Sequence, residues 1–99
     1  MIKLLMSWDI ISGYEQPYFE FVVQEFAPGL MRLGLQPIEA WYTVYGEGRQ
    51  MLTGAVANDL ETMRAILHGD DWRRLRDRLQ NYVSNFGYKV VQASGRFQL

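Results

Sequence analysis

The stretch Gln36–Asn58, QPIEAWYTVYGEGRQMLTGAVAN, decides the architecture of this chain. It reads as two strands, Ile38–Tyr45 and Gln50–Ala57, joined by the turn Gly46-Glu47-Gly48. β-Branched and aromatic residues dominate the first strand, and the two glycines permit the positive φ angles of a tight hairpin turn. The second strand places on one face Met51, Thr53, Ala55 and Ala57.

A helical pattern precedes this hairpin. Apolar residues recur at intervals of three and four between Tyr18 and Leu33, as they do along one face of a helix. Pro28 lacks a backbone N–H, so we expect a kink there, and Gly34 fits the end of the helix.

Two further helices follow the hairpin. Asn58 and Glu61 have the spacing of a capping box, which predicts a short helix from Asn58 to about His68. A second helix begins at Asp70 or Asp71, after Gly69. Its apolar side consists of Trp72, Leu75, Leu79, Tyr82 and Val83.

Strands at both ends complete the order βαββαβ. The first strand is Ile2–Ile11, and the last lies within Phe86–Leu99, around Tyr88–Ala93. Alternate residues of the first strand make one continuous apolar face, which consists of Ile2, Leu4, Met6, Trp8 and Ile10. This order predicts one α+β domain over residues 1–99, with a four-stranded antiparallel, ferredoxin-like sheet that carries its helices on one face. The bare face is expected to be too apolar for water and to be covered by a second copy of the chain. We expect it to carry Leu5, Trp41, Tyr45 and Met51.

The composition excludes several classes of function. The 99 residues have a net charge of −1, so no global field favours nucleic acid or an anionic membrane. The chain has no cysteine, which excludes a thiolate nucleophile and a cysteine metal site. No apolar run reaches the length of a membrane span, and we expect a soluble, cytoplasmic protein.

Several segments together resemble the dimeric α/β-barrel superfamily. They are Pro28–Leu35 leading into Ile38–Gly46, the strand Gln50–Asn58 running into a capped helix, and Asp71-Trp72 at the start of the next helix. The chain is most similar to the NIPSNAP-like group, followed by the antibiotic-biosynthesis monooxygenase-like group. The resemblance implies a homodimer whose sheets enclose a small pocket, and members include cofactor-free oxygenases, isomerases and haem-handling proteins.

A candidate ligand site follows from the hairpin and the first strand. Large rings and hydroxyls on one strand face suit a small aromatic or polyketide-like ligand, and a carboxylate inside a barrel could serve as a base. The predicted site consists of Ser7, Asp9, Trp41, Thr43, Tyr45 and Thr53. The alternative is that the rings fill a dimer core and that Asp9 caps a turn.

Other chemistry-bearing residues favour structural roles. His68 is the only histidine and stands at a predicted helix end, where it complements the helix dipole; one histidine and no cysteine make a metal site implausible. The basic run alternates with acids at helical spacing, as on a solvated face. It comprises Arg73, Arg74, Arg76 and Arg78. RNA-recognition domains share the βαββαβ order, but Gln50–Ala57 lacks their stacking aromatic rings.

Two hypotheses of different class remain. One is a dimeric barrel that binds a small hydrophobic or aromatic molecule, with a cofactor-free oxygenase or isomerase-like activity as a further step and no metal or cofactor. The other is a non-catalytic dimeric interaction module with a filled interior. An internal cavity bordered by Asp9, Trp41, Tyr45 or Thr53 distinguishes the first from the second.

Overall fold

The computed structural model of the chain describes residues 1–42 and 51–92, and of residues 39–42 it describes the backbone alone. Four strands and three helical stretches alternate along the chain, in the order predicted from the sequence. The strands are β1 (Ile2–Ile10), β2 (Gln36–Tyr42), β3 (Met51–Ala57) and β4 (Val83–Gln92). The helices are α1 (Glu15–Phe21), a π-helical segment (Val22–Phe26), α2 (Ala27–Leu33), α3 (Leu60–Leu67) and α4 (Asp70–Leu79).

The four strands form one antiparallel sheet in the order β2-β3-β1-β4. The central strand β1 pairs with β3 on one side and β4 on the other. This topology confirms the ferredoxin-like α+β fold.

Alternation along β1 separates two faces of the sheet. Every second side chain of β1 is buried, from Ile2 to Ile10, and packs under the helices. The side chains between them are half-buried and point to the other side, which we call the open face. Directly paired residues of neighbouring strands share a face. The open face therefore carries Lys3, Leu5, Ser7, Asp9, Leu52, Gly54 and Val56.

Met51 lies on the helix side, not on the open face as predicted. Its register partner is Trp8, and both side chains are buried in the core. Leu52 takes the place predicted for Met51, with 41% of its surface exposed. A strand's side chains alternate, so an error of one residue in register exchanges the two faces.

The helical stretch Glu15–Leu33 contains a π-helical segment just before its proline. The backbone N–H of Ala27 donates to the carbonyl of Val22, five residues back, and the flanking residues Phe26 and Ala27 keep right-handed helical angles. Pro28 has no backbone N–H to donate, and the helix widens into a π-helical turn just before the position where this hydrogen bond is missing. The expected interruption at Pro28 therefore takes the form of a π-helical segment.

The helix ends at Gly34, as predicted. Gly34 has φ 100°, a conformation that costs glycine little because it has no Cβ. The Leu35 N–H donates to the Leu30 carbonyl at 2.9 Å, and the Gly34 N–H donates to Met31 at 3.1 Å. This pair of bonds is the Schellman motif, and the buried Leu30 and Leu35 supply its apolar contact.

The N-cap of α3 is Asp59, which corrects the prediction of Asn58. The Asp59 carboxylate accepts a hydrogen bond of 2.8 Å from the backbone N–H of Thr62. That bond, followed by a side-chain hydrogen bond from Thr62, holds the pKa of Asp59 below its ordinary value. His68 is the C-cap of α3, and α4 begins at Asp70.

The last strand begins earlier than predicted, at Val83 rather than Phe86. Tyr82 and Val83, which were predicted to extend the apolar stripe of α4, lie beyond that helix, and Val83 is the first residue of β4. The register of β1 with β4 shifts between Ser7 and Asp9, which marks a β-bulge. None of the helices in the described ranges is long and apolar enough to cross a membrane.

Candidate functional site

A mostly apolar cavity of about 230 Å³ lies between the helices and the sheet. Its walls come from β1, β2 and β3 below and from the long helical stretch above. The lining residues are Trp8, Tyr18, Val22, Phe26, Ala27, Leu30, Pro37, Ile38, Met51 and Thr53. Ile38 is 46% exposed, so the cavity reaches the surface beside β2.

A buried hydrogen bond between Trp8 and Tyr18 supplies a polar contact in this cavity. The indole Nε1–H of Trp8 donates to the Tyr18 hydroxyl at 3.0 Å. Both side chains are almost fully buried. Burial raises the pKa of Tyr18, and the hydrogen bond from Trp8 opposes that rise only in part. The phenol is therefore protonated at neutral pH.

Aromatic contacts hold Trp8 in place. Its ring meets Tyr18 and Phe26 edge to face, with centroids 6.4 and 5.9 Å apart, and stacks on Phe86 at 6.0 Å. Edge-to-face and offset stacking are the favoured geometries of aromatic pairs. The rings thus give the cavity a rigid wall on the side of β1.

Irregular backbone borders the cavity on three sides. The π-helical segment begins and ends with two lining residues, Val22 and Phe26. The register of β2 with β3 shifts just after Pro37, and Trp8 lies at the shift between β1 and β4. π-Helical turns and β-bulges recur beside functional sites, where they redirect side chains.

Those residues of the predicted ligand site that the structure describes lie on both faces of the sheet. Thr53 lines the cavity on the helix side and pairs with Met6, whereas Ser7 and Asp9 lie on the open face. Thr53 therefore does not sit beside Ser7 and Asp9, because β-strand neighbours alternate between faces. The backbone of Trp41 pairs with Leu52, but its side chain, like all of Thr43 and Tyr45, lies outside the described residues.

Asp9 contacts the neighbouring strand at the bulge of β4. The Asn85 Nδ2 donates to the Asp9 Oδ2 at 2.8 Å, and Asn85 has φ 57°. Asparagine is among the residues that tolerate this left-handed conformation. In this position Asp9 supports an irregular backbone turn.

The arginine run of α4 is paired with acids, in agreement with a solvated face. Arg73 contacts Asp70 at 3.0 Å and Arg74 contacts Asp71. Arg78 reaches across to Glu25 of the π-helical segment, and its guanidinium lies 5.6 Å from the ring centre of Phe21. The groove of about 400 Å³ between α2 and α4 is lined by Arg74 and Arg78 together with Arg32.

The residues missed at the sequence level are Trp8 and Tyr18. Trp8 was predicted only as part of the apolar face of β1, and nothing in the sequence paired it with Tyr18. One signal in the sequence could have indicated this pair: Trp8 and Tyr18 each carry one polar atom and stand on faces predicted to be buried, where such atoms need a hydrogen-bond partner. Within residues 1–42 and 51–92, no three histidine, aspartate or glutamate side chains come together as metal ligands.

The fold is shared with several solved structures. A NIPSNAP domain protein from Burkholderia xenovorans matches with a TM-score of 0.73 and 11% identity, over 99% of both chains. A protein from Deinococcus radiodurans that is described as an antibiotic biosynthesis monooxygenase matches with a TM-score of 0.72 and 11% identity. The match covers 100% of this chain and 98% of that protein. The chain has the fold of these proteins.

A third neighbour belongs to another group. An EthD family protein from Bacillus halodurans matches with a TM-score of 0.72 and 12% identity, over 95% of this chain and all of its own. No family model and no curated protein matches the sequence. The likeness to NIPSNAP-domain and monooxygenase-like proteins expected from the sequence is therefore confirmed for the fold.

Proposed function

We propose that this protein binds a small, largely apolar molecule in the cavity between its helices and its sheet. The observation that carries this proposal is the cavity itself, about 230 Å³ of space bordered by Trp8, Tyr18 and Thr53. Protein interiors are normally close-packed, and side chains that border unfilled space lose van der Waals contacts, which costs stability. A ligand would recover part of that cost.

The size of the cavity limits the ligand. Pockets for drug-sized molecules have volumes of about 300–1,000 Å³, whereas an apolar cavity of about 150 Å³ accommodates benzene. A volume of about 230 Å³ therefore suits one ring or two fused rings. The proposed entrance lies beside Ile38, which lines the cavity and is exposed.

A catalytic role in this cavity would depend on very few groups. Among the lining residues that the structure describes, only Trp8, Tyr18 and Thr53 carry polar side chains, and none of these three is a carboxylate or a histidine. A cofactor-free oxygenase or isomerase-like reaction would have to use these groups alone. Binding is thus the function that the geometry supports best, and catalysis is a further proposal that draws on the likeness to a protein described as a monooxygenase.

The alternative, a non-catalytic module with a filled interior, is less consistent with this cavity. In a filled interior, the space beside the small residues Val22, Ala27 and Thr53 would have no function, although the large side chains elsewhere in the core are fully buried. Larger aliphatic residues at these positions would reach native density.

We also propose that the open face forms a homodimer. It presents Leu5, Leu52 and Val56 beside Ser7 and the small Gly54, an apolar centre with few charges. Apolar patches of this kind mark association sites. A second copy would cover the face without disturbing the cavity, which lies on the other side of the sheet.

Native mass spectrometry of the purified protein tests both proposals, because it reports the oligomer and any retained ligand. Isothermal titration with indane, a neutral bicyclic hydrocarbon of suitable size, then tests the cavity directly. We expect saturable 1:1 binding per chain. Absence of binding by indane and by its ketone, together with no retained ligand, would leave the interaction module as the better account.

A further inference from the structure

We infer that Tyr18 selects the ligand: the cavity takes a neutral molecule with a carbonyl oxygen, and that oxygen accepts a hydrogen bond from the Tyr18 hydroxyl. The inference rests on the proposed binding function and specifies the chemistry of the same cavity. It assigns the single polar contact that orients an otherwise apolar ligand.

The partner of Tyr18 fixes the direction of its hydrogen bonds. An indole N–H can only donate, so in the 3.0 Å contact with Trp8 the Tyr18 oxygen must be the acceptor. The Tyr18 O–H is then left as a donor. Among the described residues the structure gives this hydrogen no acceptor, although the side chain is only 1% exposed. A buried donor of this kind favours a ligand that brings an acceptor.

The contact with Trp8 also strengthens Tyr18 as a donor. Hydrogen bonds in a chain polarise one another, so a hydroxyl that accepts from an indole donates more strongly to the next group. Trp8 is itself held by the rings of Phe26 and Phe86. The donor is thus fixed in position before a ligand arrives, which reduces the entropic cost of binding.

The described surroundings disfavour a charged ligand. None of the lining residues that the structure describes is an acid, a base or an arginine, and Tyr18 is protonated because burial raises its pKa. A carboxylate or ammonium group would lose its hydration without gaining a counter-charge. The acceptor must therefore be neutral, and a carbonyl oxygen, with two lone pairs and no hydrogen, matches a single O–H donor.

Three probes built on one bicyclic frame test the inference: indane, 1-indanone and 1-aminoindane, titrated into the parent, Tyr18→Phe, Thr53→Val and Tyr14→Phe. Tyr14→Phe is the matched control, because it makes the same substitution at an exposed tyrosine that is not among the lining residues of the cavity. Thr53→Val removes the other hydroxyl of the cavity and tests whether Thr53 is the donor instead. We compare the ratio of the indane Kd to the 1-indanone Kd in each protein. A net hydrogen bond predicts that Tyr18→Phe lowers this ratio by roughly 2- to 12-fold, while Tyr14→Phe changes it by less than about twofold. The ammonium form of 1-aminoindane, which is similar in size to the ketone, should bind at least about tenfold more weakly than the ketone to the parent.

The outcomes separate the two proposals. Binding of indane with an unchanged ratio in Tyr18→Phe overturns the role of Tyr18 and leaves the binding function standing. A ratio that falls only in Thr53→Val would show that Thr53 is the hydrogen-bond donor to the ligand, and this result would also overturn the inference for Tyr18. Failure of all three probes in the parent contradicts the proposed function itself.

A spectroscopic measurement covers the case in which Tyr18→Phe fails to fold. The carbonyl stretch of 1-indanone bound to the parent protein should lie below its position in hydrocarbon solvent, because a hydrogen bond weakens the C=O bond. A band at the hydrocarbon position would show that the carbonyl has no donor and would overturn the inference without any variant.

Discussion

The backbone of Gly29 in α2 lies directly against the side chain of Leu75 in α4. A Cβ built on Gly29 would stand 2.9 Å from Leu75 Cδ2 and 3.0 Å from Cδ1, closer than side chains normally approach. Both residues are buried. The close packing of these two helices therefore depends on the absence of a side chain at position 29.

Gly29→Ala should destabilise the protein. Alanine is favoured over glycine inside a helix by about 1 kcal/mol, but forcing an additional carbon into a packed core costs about 1–3 kcal/mol. The atoms that would have to move belong to the end of the Leu75 side chain, which borders the groove between α2 and α4, so we expect the net loss in urea unfolding to lie between zero and about 2 kcal/mol. Leu75→Val as a second change should relieve part of it, and strict additivity of the two substitutions would contradict the contact.

Trp72→Ala should destabilise far more than His68→Ala. Trp72 is 1% exposed in the core, whereas His68 is an exposed C-cap. Aromatic truncation in a core costs roughly 3–5 kcal/mol, while exposed substitutions stay within about 0.5 kcal/mol. Trp72→Phe is the informative control, since the indole N–H has no partner within the described residues and its loss breaks no hydrogen bond. Equal melting temperatures for Trp72→Ala and His68→Ala would contradict this placement.

Asp59→Ala should lower the melting temperature at pH 7, and Asn58→Ala should not, because Asp59 is the residue that caps α3. The pKa of Asp59 is lowered in the folded state, so its contribution is fully present above the unfolded pKa near 4. The contribution is lost as the pH falls through the folded pKa. Melting curves from pH 7 to pH 2 should therefore converge for the parent and Asp59→Ala. A gap that persists at pH 2 would indicate another role for Asp59.

Ala27→Leu should weaken indane binding at least about tenfold, because the added carbons occupy the cavity that Ala27 lines. Titration calorimetry measures the effect. Ala65→Leu is the matched control: it makes the same substitution on the exposed side of α3, in a groove apart from the cavity. Equal affinities in the two variants would show that indane binds elsewhere.

Leu52→Glu should convert the proposed dimer to a monomer, because it places a charge on the apolar part of the open face. Light scattering at micromolar concentration measures the change. Leu60→Glu is the matched control, since Leu60 is also 41% exposed but lies at the start of α3, where an acid complements the helix dipole. A parent protein that is already monomeric would overturn the dimer proposal.

The sequence was sufficient for the fold because its periodic signals are strong and local. Alternation in β1 and the three-to-four spacing before Gly34 each predict an element without reference to the rest of the chain. The N-cap was misplaced by one residue because Asn58 and Asp59 are equally good capping types, and only the backbone angles distinguish them. Such choices are settled by tertiary packing.

The candidate site was less predictable because it depends on register. From the sequence, Met51 was predicted to lie on the open face. The geometry of the hairpin turn sets the register of the two strands, and without that geometry the sequence does not show on which side of the sheet each residue lies. The bulge after Pro37 adds a further shift. The pairing of Trp8 with Tyr18 joins a strand to a helix ten residues later, and no local pattern encodes that contact.

The walls of the cavity come from β1, β2, β3 and the helical stretch Glu15–Leu33, so the cavity exists only when these parts of the chain have come together. A ligand held there binds the native state alone and raises the melting temperature by mass action. At one hundred times its Kd it would contribute about 2.7 kcal/mol, which for a domain of this size is a shift of roughly 10–20 °C. Thermal denaturation in a library of neutral bicyclic carbonyl compounds is thus a direct way to find the natural ligand without knowing any reaction.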